Sequence, residues 1–200
     1  MAIAGGTLTK FKVIPAAPGA ASPTLVVPAE TQVLETATPL VGANQAAVTN
    51  GSFVYDEHYR KRETFDAYTP GGQLLQRSHV PRQPTVYLWG YRRQYPIAEI
   101  RNATYPQVVA VLGQATIDEL AGANPGSDVN VQQKLQPLRT QLKQAQVLTY
   151  TYDPLVGMTS QTDPTGRTVT YEYDALGRLI RTRDEQGRIL SQQQYHYAGK

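Results

Sequence analysis

The feature that most constrains the fold is an internal repeat of 21 residues near the end of the chain. The segment Tyr150-Thr-Tyr-Asp153 recurs as Tyr171-Glu-Tyr-Asp174, and a second segment, Asp163-Pro-Thr-Gly-Arg167, recurs as Asp184-Glu-Gln-Gly-Arg188. Tyr195-His-Tyr197 begins a third copy, slightly out of register. Because so short a unit cannot bury its own apolar face, the repeat predicts that successive units stack on one another.

Aspartate and glycine recur within the repeat at a separation that favours tight turns. An aspartate side chain can bond the backbone two residues on, and glycine supplies the positive φ that closes a hairpin. The pairs are Asp163/Gly166, Asp174/Gly177 and Asp184/Gly187, with Asp153/Gly157 one residue longer. The spacing leaves strands of about six residues between turns.

Alternation between the turns indicates strands. In Thr168-Val-Thr-Tyr-Glu-Tyr173, the residues Val169, Tyr171 and Tyr173 share one face. Tyrosine suits a half-buried strand because its ring buries area while its hydroxyl reaches a partner. Strands joined in succession by tight turns form a meander. The predicted fold is mainly β: an antiparallel β-meander of these repeats, with a helical insertion at about 104–145.

We expect these repeat residues to be structural rather than catalytic. They are Tyr150, Tyr152, Asp153, Gly157, Asp163, Gly166, Arg167, Tyr171, Tyr173, Asp174, Gly177, Arg178, Asp184, Gly187 and Arg188.

Composition divides the chain into four zones. Zone 1–50 is rich in proline and alanine, and its prolines predict an irregular lead with only short edge or linker strands, such as Leu25–Val27 and Thr31–Glu35. Zone 51–101 opens after the turn dipeptide Asn50-Gly51 and predicts a β segment. Its candidate strands lie at 52–55, 64–68, 73–76, 85–89 and 97–100. Zone 147–200 contains the repeat.

Zone 102–146 is predicted to be helical. Thr104 is a candidate N-cap, followed by Pro106 just inside the first turn. Glycines and Asn124-Pro125 end this helix between 122 and 126, and a second helix begins at Ser127 or Asp128. Pro137 predicts a kink or a break in the second helix. The apolar stripes comprise Val108, Val109, Val111, Leu112, Ile117 and Leu120, then Val131, Leu135, Leu138 and Leu142.

Composition also excludes several classes of function. The chain of 200 residues fits one domain or two small ones and contains no cysteine, which removes disulfides, thiolate metal sites and cysteine nucleophiles. Its net charge of +3 comes from scattered basic residues, unlike the dense footprint of a nucleic-acid binder. We find no run of about 20 apolar residues that would span a membrane and no secretory signal.

The repeat resembles the YD repeat of the bacterial Rhs (rearrangement hot spot) proteins. The resemblance is carried by Tyr173-Asp-Ala-Leu-Gly-Arg-Leu179 with Asp184–Arg188, by Tyr150–Ser160, and more weakly by Tyr87–Tyr91 and Gln94–Ala98. It covers roughly half of the chain. It implies a long spiralling β-sheet that closes into a shell, used by large surface or secreted bacterial proteins to carry a toxin or to mediate adhesion and competition.

The sequence departs from that family in ways that bear on function. It holds about two repeats, too few for a shell, and has no recognisable core domain, downstream toxin domain or signal peptide. We therefore expect a terminal fragment or short relic of such a protein. The resemblance implies an extracellular or cell-surface location and a partner, either further YD repeats or another protein, at an open sheet edge. The edge strand 189–197 is expected to cause self-association.

Candidate sites of other kinds are few. The family's core cleaves itself near an Asp-Pro-x-Gly element, but Asp163–Gly166 fits the repeating turn and is interpreted as one. The histidines, His58, His79 and His196, have no metal-ligand spacing, so no metal or cofactor is predicted. Arginines interleaved with Asp174, Asp184 and Glu185 suggest cross-strand ion pairs rather than an RNA surface.

The leading hypothesis is a non-enzymatic scaffold segment. The first alternative is a carbohydrate-binding module, because exposed aromatic rings can stack on sugars. Its candidate residues are Tyr87, Trp89, Tyr91 and Tyr95, against which stands the interpretation that they fill the core. The second alternative is a fragment of a polymorphic toxin whose active domain is absent.

Overall fold

Antiparallel strand pairing dominates the computed structural model of the protein. The structure describes residues 2–3, 5–15, 24–41, 47–49, 52–81, 83–122 and 128–195. Every strand pairing given for these residues is antiparallel, so the predicted mainly β class is confirmed. The chain divides into two units, Met1–Pro84 and Thr85–Lys200, at a point inside the predicted β segment.

The first unit contains eight described strands. They are β1 (Ala2–Ile3), β2 (Thr7–Ile14), β3 (Leu25–Leu34), β4 (Leu40–Val41), β5 (Ala47–Thr49), β6 (Ser52–Val54), β7 (Tyr59–Tyr68) and β8 (Leu74–His79). Strands β2, β3, β7 and β8 pair in the order β2-β3-β7-β8, while β1 pairs with β4 and β5 with β6. The predicted turn at Asn50-Gly51 lies outside the described residues.

The expectation of an irregular lead is wrong where β2 and β3 form. Strand β3 is continuous through Pro28, which lies at a register shift opposite Phe11. A proline is tolerated at such a bulge because the missing N–H falls where the hydrogen-bond ladder is already interrupted. The pairing of β3 with β7 begins only at Glu30, beyond the proline. The sequence therefore interrupts the ladder without ending the strand.

The second unit is a meander with a helical insertion. Its elements are β9 (Gln83–Gly90), β10 (Tyr95–Arg101), α1 (Tyr105–Leu112), α2 (Gln114–Gly122), α3 (Asp128–Gln141), β11 (Gln146–Asp153), β12 (Gly157–Thr162), β13 (Thr168–Tyr173), β14 (Leu179–Arg183) and β15 (Ile189–Gln192). The strands pair in chain order from β9 to β15. The last strand is shorter than the predicted 189–197 segment, of which 196–197 lie outside the described residues.

The helical insertion differs from its prediction at two points. Thr104 precedes α1, and its backbone N–H donates to Oε1 of Gln107 at 2.8 Å, as in a capping box. The single helix predicted after it is divided at Gly113, whose φ of +76° ends α1. The predicted break at Pro137 is absent, because α3 continues through it to Gln141.

The core of the second unit lies between the helices and one face of the sheet. Val86 and Leu88 of β9, together with Ile100 of β10, are almost fully buried there. The predicted helical stripes supply the opposing side chains. Those that are buried are Val108, Ile117, Leu120, Val131, Leu135 and Leu138.

This helix-facing surface of the sheet changes in character from strand to strand. Apolar residues on β9 and β10 are followed by buried hydroxyl residues on β11 and β12, then by charged residues on β13 and β14. Successive cross-strand partners show the change: Ala98 pairs with Thr149, Thr149 with Thr162, and Thr162 with Thr168. A second row runs from Thr151 through Ser160 and Thr170 to Arg183. The apolar core therefore ends where the repeats begin.

Helix α3 is fastened to the hydroxyl rows by polar side chains. Gln132 Nε2 donates to Thr162 Oγ1 at 2.8 Å and its Oε1 accepts from Thr149 Oγ1 at 3.1 Å. Arg139 Nη2 donates to Thr149 Oγ1 at 3.1 Å and to the carbonyl of Thr162 at 3.2 Å. These bonds join the helical insertion to the first repeat.

Candidate functional site

The repeat turns are the most regular chemical arrangement in the second unit. At the turn after β12, Asp163 Oδ1 accepts the backbone N–H groups of Thr165 at 2.8 Å and Arg167 at 3.0 Å. Its Oδ2 accepts from Arg167 Nε at 3.1 Å. The backbone of Asp163 also bonds Gly166 and Arg167, and Gly166 has a φ of +90°. One carboxylate thus holds the whole turn.

The same bonds recur in the next two turns. In each, Oδ1 of the aspartate accepts two backbone N–H groups, at 2.9 to 3.0 Å, and Oδ2 accepts from the Nε of the arginine four residues on, at 2.6 to 2.8 Å. The residues are Asp174, Leu176, Gly177 and Arg178 in one turn, and Asp184, Gln186, Gly187 and Arg188 in the other. The arginine is therefore as much a part of the turn as the glycine.

The first turn of the repeat region differs. Asp153 accepts a backbone bond from Val156 at 3.1 Å, but its carboxylate accepts none of the turn bonds that define the other three. Leu155 takes the positive φ, at +75°. The extra residue between Asp153 and Gly157 therefore changes how this turn closes.

The carboxylates of the regular turns are held in their charged form. The hydroxyl of Thr165, with the N–H groups of Arg167, lowers the pKa of Asp163 to about 2. The Arg178 side chain lowers the pKa of Asp174. At Asp184 burial acts to raise the pKa, but the bonds from Arg188 outweigh it and the pKa is lowered. These groups are acceptors in a turn, so the arrangement offers no proton donor near neutral pH.

Tyrosines connect each repeat to the one before it. Tyr173 Oη donates to the carbonyl of Met158 at 2.9 Å, and its ring lies over Gly157, where an added Cβ would be 2.7 Å from Oη. Tyr195 Oη donates in the same way to Leu179, at 2.9 Å, and its ring lies under Arg178, 4.4 Å from the guanidinium carbon. Met158 and Leu179 are 21 residues apart, so Tyr195 is the structural counterpart of Tyr173.

The first repeat is anchored by a different aromatic contact. Tyr152 stacks on Tyr95 with ring centroids 4.8 Å apart, and Tyr91 packs edge-on to both rings at 5.7 Å. Tyr91 Oη also donates to the backbone… of Tyr152 only as an acceptor: the N–H of Tyr152 donates to Tyr91 Oη at 2.8 Å. Burial raises the pKa of Tyr152 to about 12. This cluster extends the core into the repeats.

The four aromatic residues predicted as one carbohydrate surface are divided by the fold. Tyr91 is only 4% exposed, and Tyr95 packs against the core cluster. Tyr87 and Trp89 alternate along β9 with buried Val86 and Leu88, so they lie on the other face of the sheet, where both are half-buried. The structure brings together Tyr91 and Tyr95, and separately Tyr87 and Trp89.

The predicted ion pairs form with different partners. Arg181 and Arg183 of β14 both contact Glu172 of β13, at 3.0 and 2.5 Å, which are cross-strand pairs. Asp174 and Asp184 instead bond the arginines of their own turns. The cross-strand interpretation therefore holds for Glu172, whereas the interleaved aspartates belong to turns.

Sequence reasoning missed Gln132 and Arg139, which join α3 to the hydroxyl rows. No spacing or motif marks them, because their role depends on which strand the helix covers. Among the described residues, no group of histidine, aspartate and glutamate side chains is arranged to hold a metal ion. No helix in the described part of the chain is both long and apolar enough to cross a bilayer.

Comparison with known families agrees with the repeat geometry. Residues 156–189 match the RHS Repeat family, a stretch that contains the three regular aspartate turns. No curated protein matches the chain. The chain thus carries an RHS repeat, and the resemblance to the YD/Rhs repeat proteins is confirmed.

The turn carboxylates predict a loss of stability in acid. Their pKa is lower in the folded chain than in the unfolded chain, so the stability that they contribute is complete above the ordinary value of 3.8 and is lost as the pH falls toward about 2. Replacing all three (Asp163→Asn, Asp174→Asn, Asp184→Asn) should lower the urea midpoint at pH 7 and flatten its dependence on pH below 4. Asp153→Asn is the matched control and should change neither. An unchanged acid profile in the triple variant would contradict the assignment.

The contact between Tyr173 and Gly157 predicts a position-specific cost. Gly157→Ala should lower the free energy of unfolding by about 2 kcal/mol or more, because the new methyl meets the tyrosine ring. Gly166→Ala meets no atom within 4 Å and should cost only the positive-φ penalty of about 1 kcal/mol.

A double-mutant cycle separates the two causes. In a Tyr173→Ala background, Gly157→Ala should become about as mild as Gly166→Ala, as measured by urea unfolding. Equal costs in both backgrounds would show that the ring contact does not matter.

Proposed function

We propose that this chain is a non-enzymatic structural segment of a surface or secreted Rhs-type bacterial protein, and that it presents a sheet edge to further YD repeats. The observation that carries the proposal is the repeated bonding pattern. Each regular turn is closed by one carboxylate, and each repeat donates a tyrosine hydroxyl to the preceding one, at Tyr173 and again at Tyr195. Such a unit interacts only with its neighbours, as in repeat proteins generally.

The state of the ionisable groups supports scaffolding rather than catalysis. The carboxylates of Asp163, Asp174 and Asp184 are occupied by backbone and arginine donors. A general acid or base needs a pKa shifted toward neutrality, but these are shifted away from it.

The outermost strand supports continuation of the array. All four residues of β15 are exposed, including Ile189 and Leu190. Strand β14 carries Arg181 and Arg183, charges of the kind that protect a sheet edge, whereas β15 carries none. An unprotected terminal strand favours pairing with a further strand.

Extending the array by one repeat tests the proposal. Residues 193–200 are replaced by a second copy of 172–192, which continues β15 in register. Because each repeat is stabilised by its neighbour, the extended chain should unfold in one transition with a Tm at least about 4 °C higher. The control carries the same extension with both turn aspartates of the added copy changed to alanine, and it should gain little. A separate, lower transition for the added copy would contradict the proposal.

The open edge also predicts self-association of the isolated chain. Light scattering should show oligomers that Leu190→Lys and deletion of 189–200 both reduce, because a charge on the edge, or a new edge formed by β14, opposes strand pairing. Val26→Lys, at a comparably exposed apolar position in the first unit, is the control and should leave the oligomers intact. A monomer that is unchanged by these edge variants would count against the open-edge proposal.

A further inference from the structure

The two ends of the repeat sheet carry different turn residues. Because neighbouring strands are antiparallel, β9, β11 and β13 run in one direction, and the turns that follow them lie at one end of the sheet. These turns, 91–94, 153–157 and 174–178, are called here the leucine end. The turns 163–167 and 184–188 lie at the opposite end.

Exposed apolar side chains occupy the tips of the turns only at the leucine end. Leu155 is fully exposed and Leu176 is 68% exposed, and these leucines are 21 residues apart. Val156 is also exposed. The corresponding tips at the opposite end are Pro164-Thr165 and Glu185-Gln186, which contain no large apolar side chain.

The chemistry of the turn does not require these leucines. Leu176 contributes only its backbone N–H to Asp174, a role that Thr165 and Gln186 fill in the other turns. Leu155 has a φ of +75°, a conformation that costs an L-residue about 1–2 kcal/mol and that normally selects glycine or asparagine. A fully exposed, strained leucine indicates a role outside the turn.

Basic residues adjoin the leucines at the same end. Arg92 and Arg93 are exposed in the turn after β9, with φ values of +59° and +61°. Neither guanidinium has an ion-pair partner within the described ranges. Successive turns at this end are two strands apart, about 10 Å, so the arginines and both leucines form a row about 20 Å long.

We propose that the leucine end docks on an anionic lipid bilayer, with Leu155 and Leu176 inserted at the headgroup boundary and Arg92 and Arg93 against lipid phosphates. Peripheral attachment of this kind combines buried apolar area with attraction to anionic headgroups. The turn tips are convex, so they suit a deformable surface, and they offer far less than the roughly 800 Å² per partner of a stable protein interface. This proposal is independent of the scaffold role.

Co-sedimentation of the full chain with vesicles tests the proposal. We expect binding to phosphatidylcholine vesicles containing phosphatidylserine, and little binding to phosphatidylcholine alone. The double variant Leu155→Ser, Leu176→Ser should lower the partition coefficient about tenfold or more, and Arg92→Gln with Arg93→Gln also about tenfold. Val26→Ser is the matched control, since Val26 is 67% exposed in the first unit, and it should bind as the parent does. All these positions are exposed, and an unchanged Tm verifies that each variant is folded.

Insertion is measured separately from binding. Leu155→Trp in a Trp89→Phe background should show quenching by brominated lipids when anionic vesicles are present. The proposal is overturned if the parent binds no vesicle, or if binding depends on the arginines alone with no quenching. It is also overturned if, without lipid, the leucine variant abolishes oligomers while Leu190→Lys does not, because the leucines would then contact a second copy of the chain.

Discussion

The second unit depends on one recurring interaction, the aspartate carboxylate that closes each turn of the repeat. At Asp163, Asp174 and Asp184, four hydrogen-bond acceptor directions on two oxygens are enough to hold two backbone N–H groups and an arginine. Because the arginine begins the next strand, the turn also sets where that strand starts. The register of the meander is therefore specified locally, before any long-range contact forms.

Stacking of the repeats adds the second level of order. Tyr173 and Tyr195 each reach back to a carbonyl in the preceding repeat, whereas Tyr152 meets Tyr91 and Tyr95 instead. The first repeat thus joins the apolar core, and later repeats join one another. The helix-facing surface changes in step, from apolar residues through hydroxyl residues to charged ones, which explains why the helices cover only its beginning.

Local signals predicted much of this arrangement. The aspartate turns, the strands between them and the buried helical stripes all follow from short-range patterns that tertiary contacts reinforce. The errors share a cause. Pro28 was expected to interrupt a strand and Pro137 a helix, yet both elements continue, because a proline can be accommodated where the hydrogen-bond ladder is bulged or the helix is supported by packing. Gly113, which carries no comparable warning, divides a helix.

The sequence by itself determined the repeat, its turns and the alternation of its strands, since each depends on residues within about five positions of one another. The tertiary structure alone decided which tyrosines are buried and which side chains fasten α3. Tyr91 and Trp89 look alike as exposed aromatics in the sequence, but one lies in the core and the other on the far face of β9. Burial depends on which elements pack together, and a short-range pattern does not contain that information.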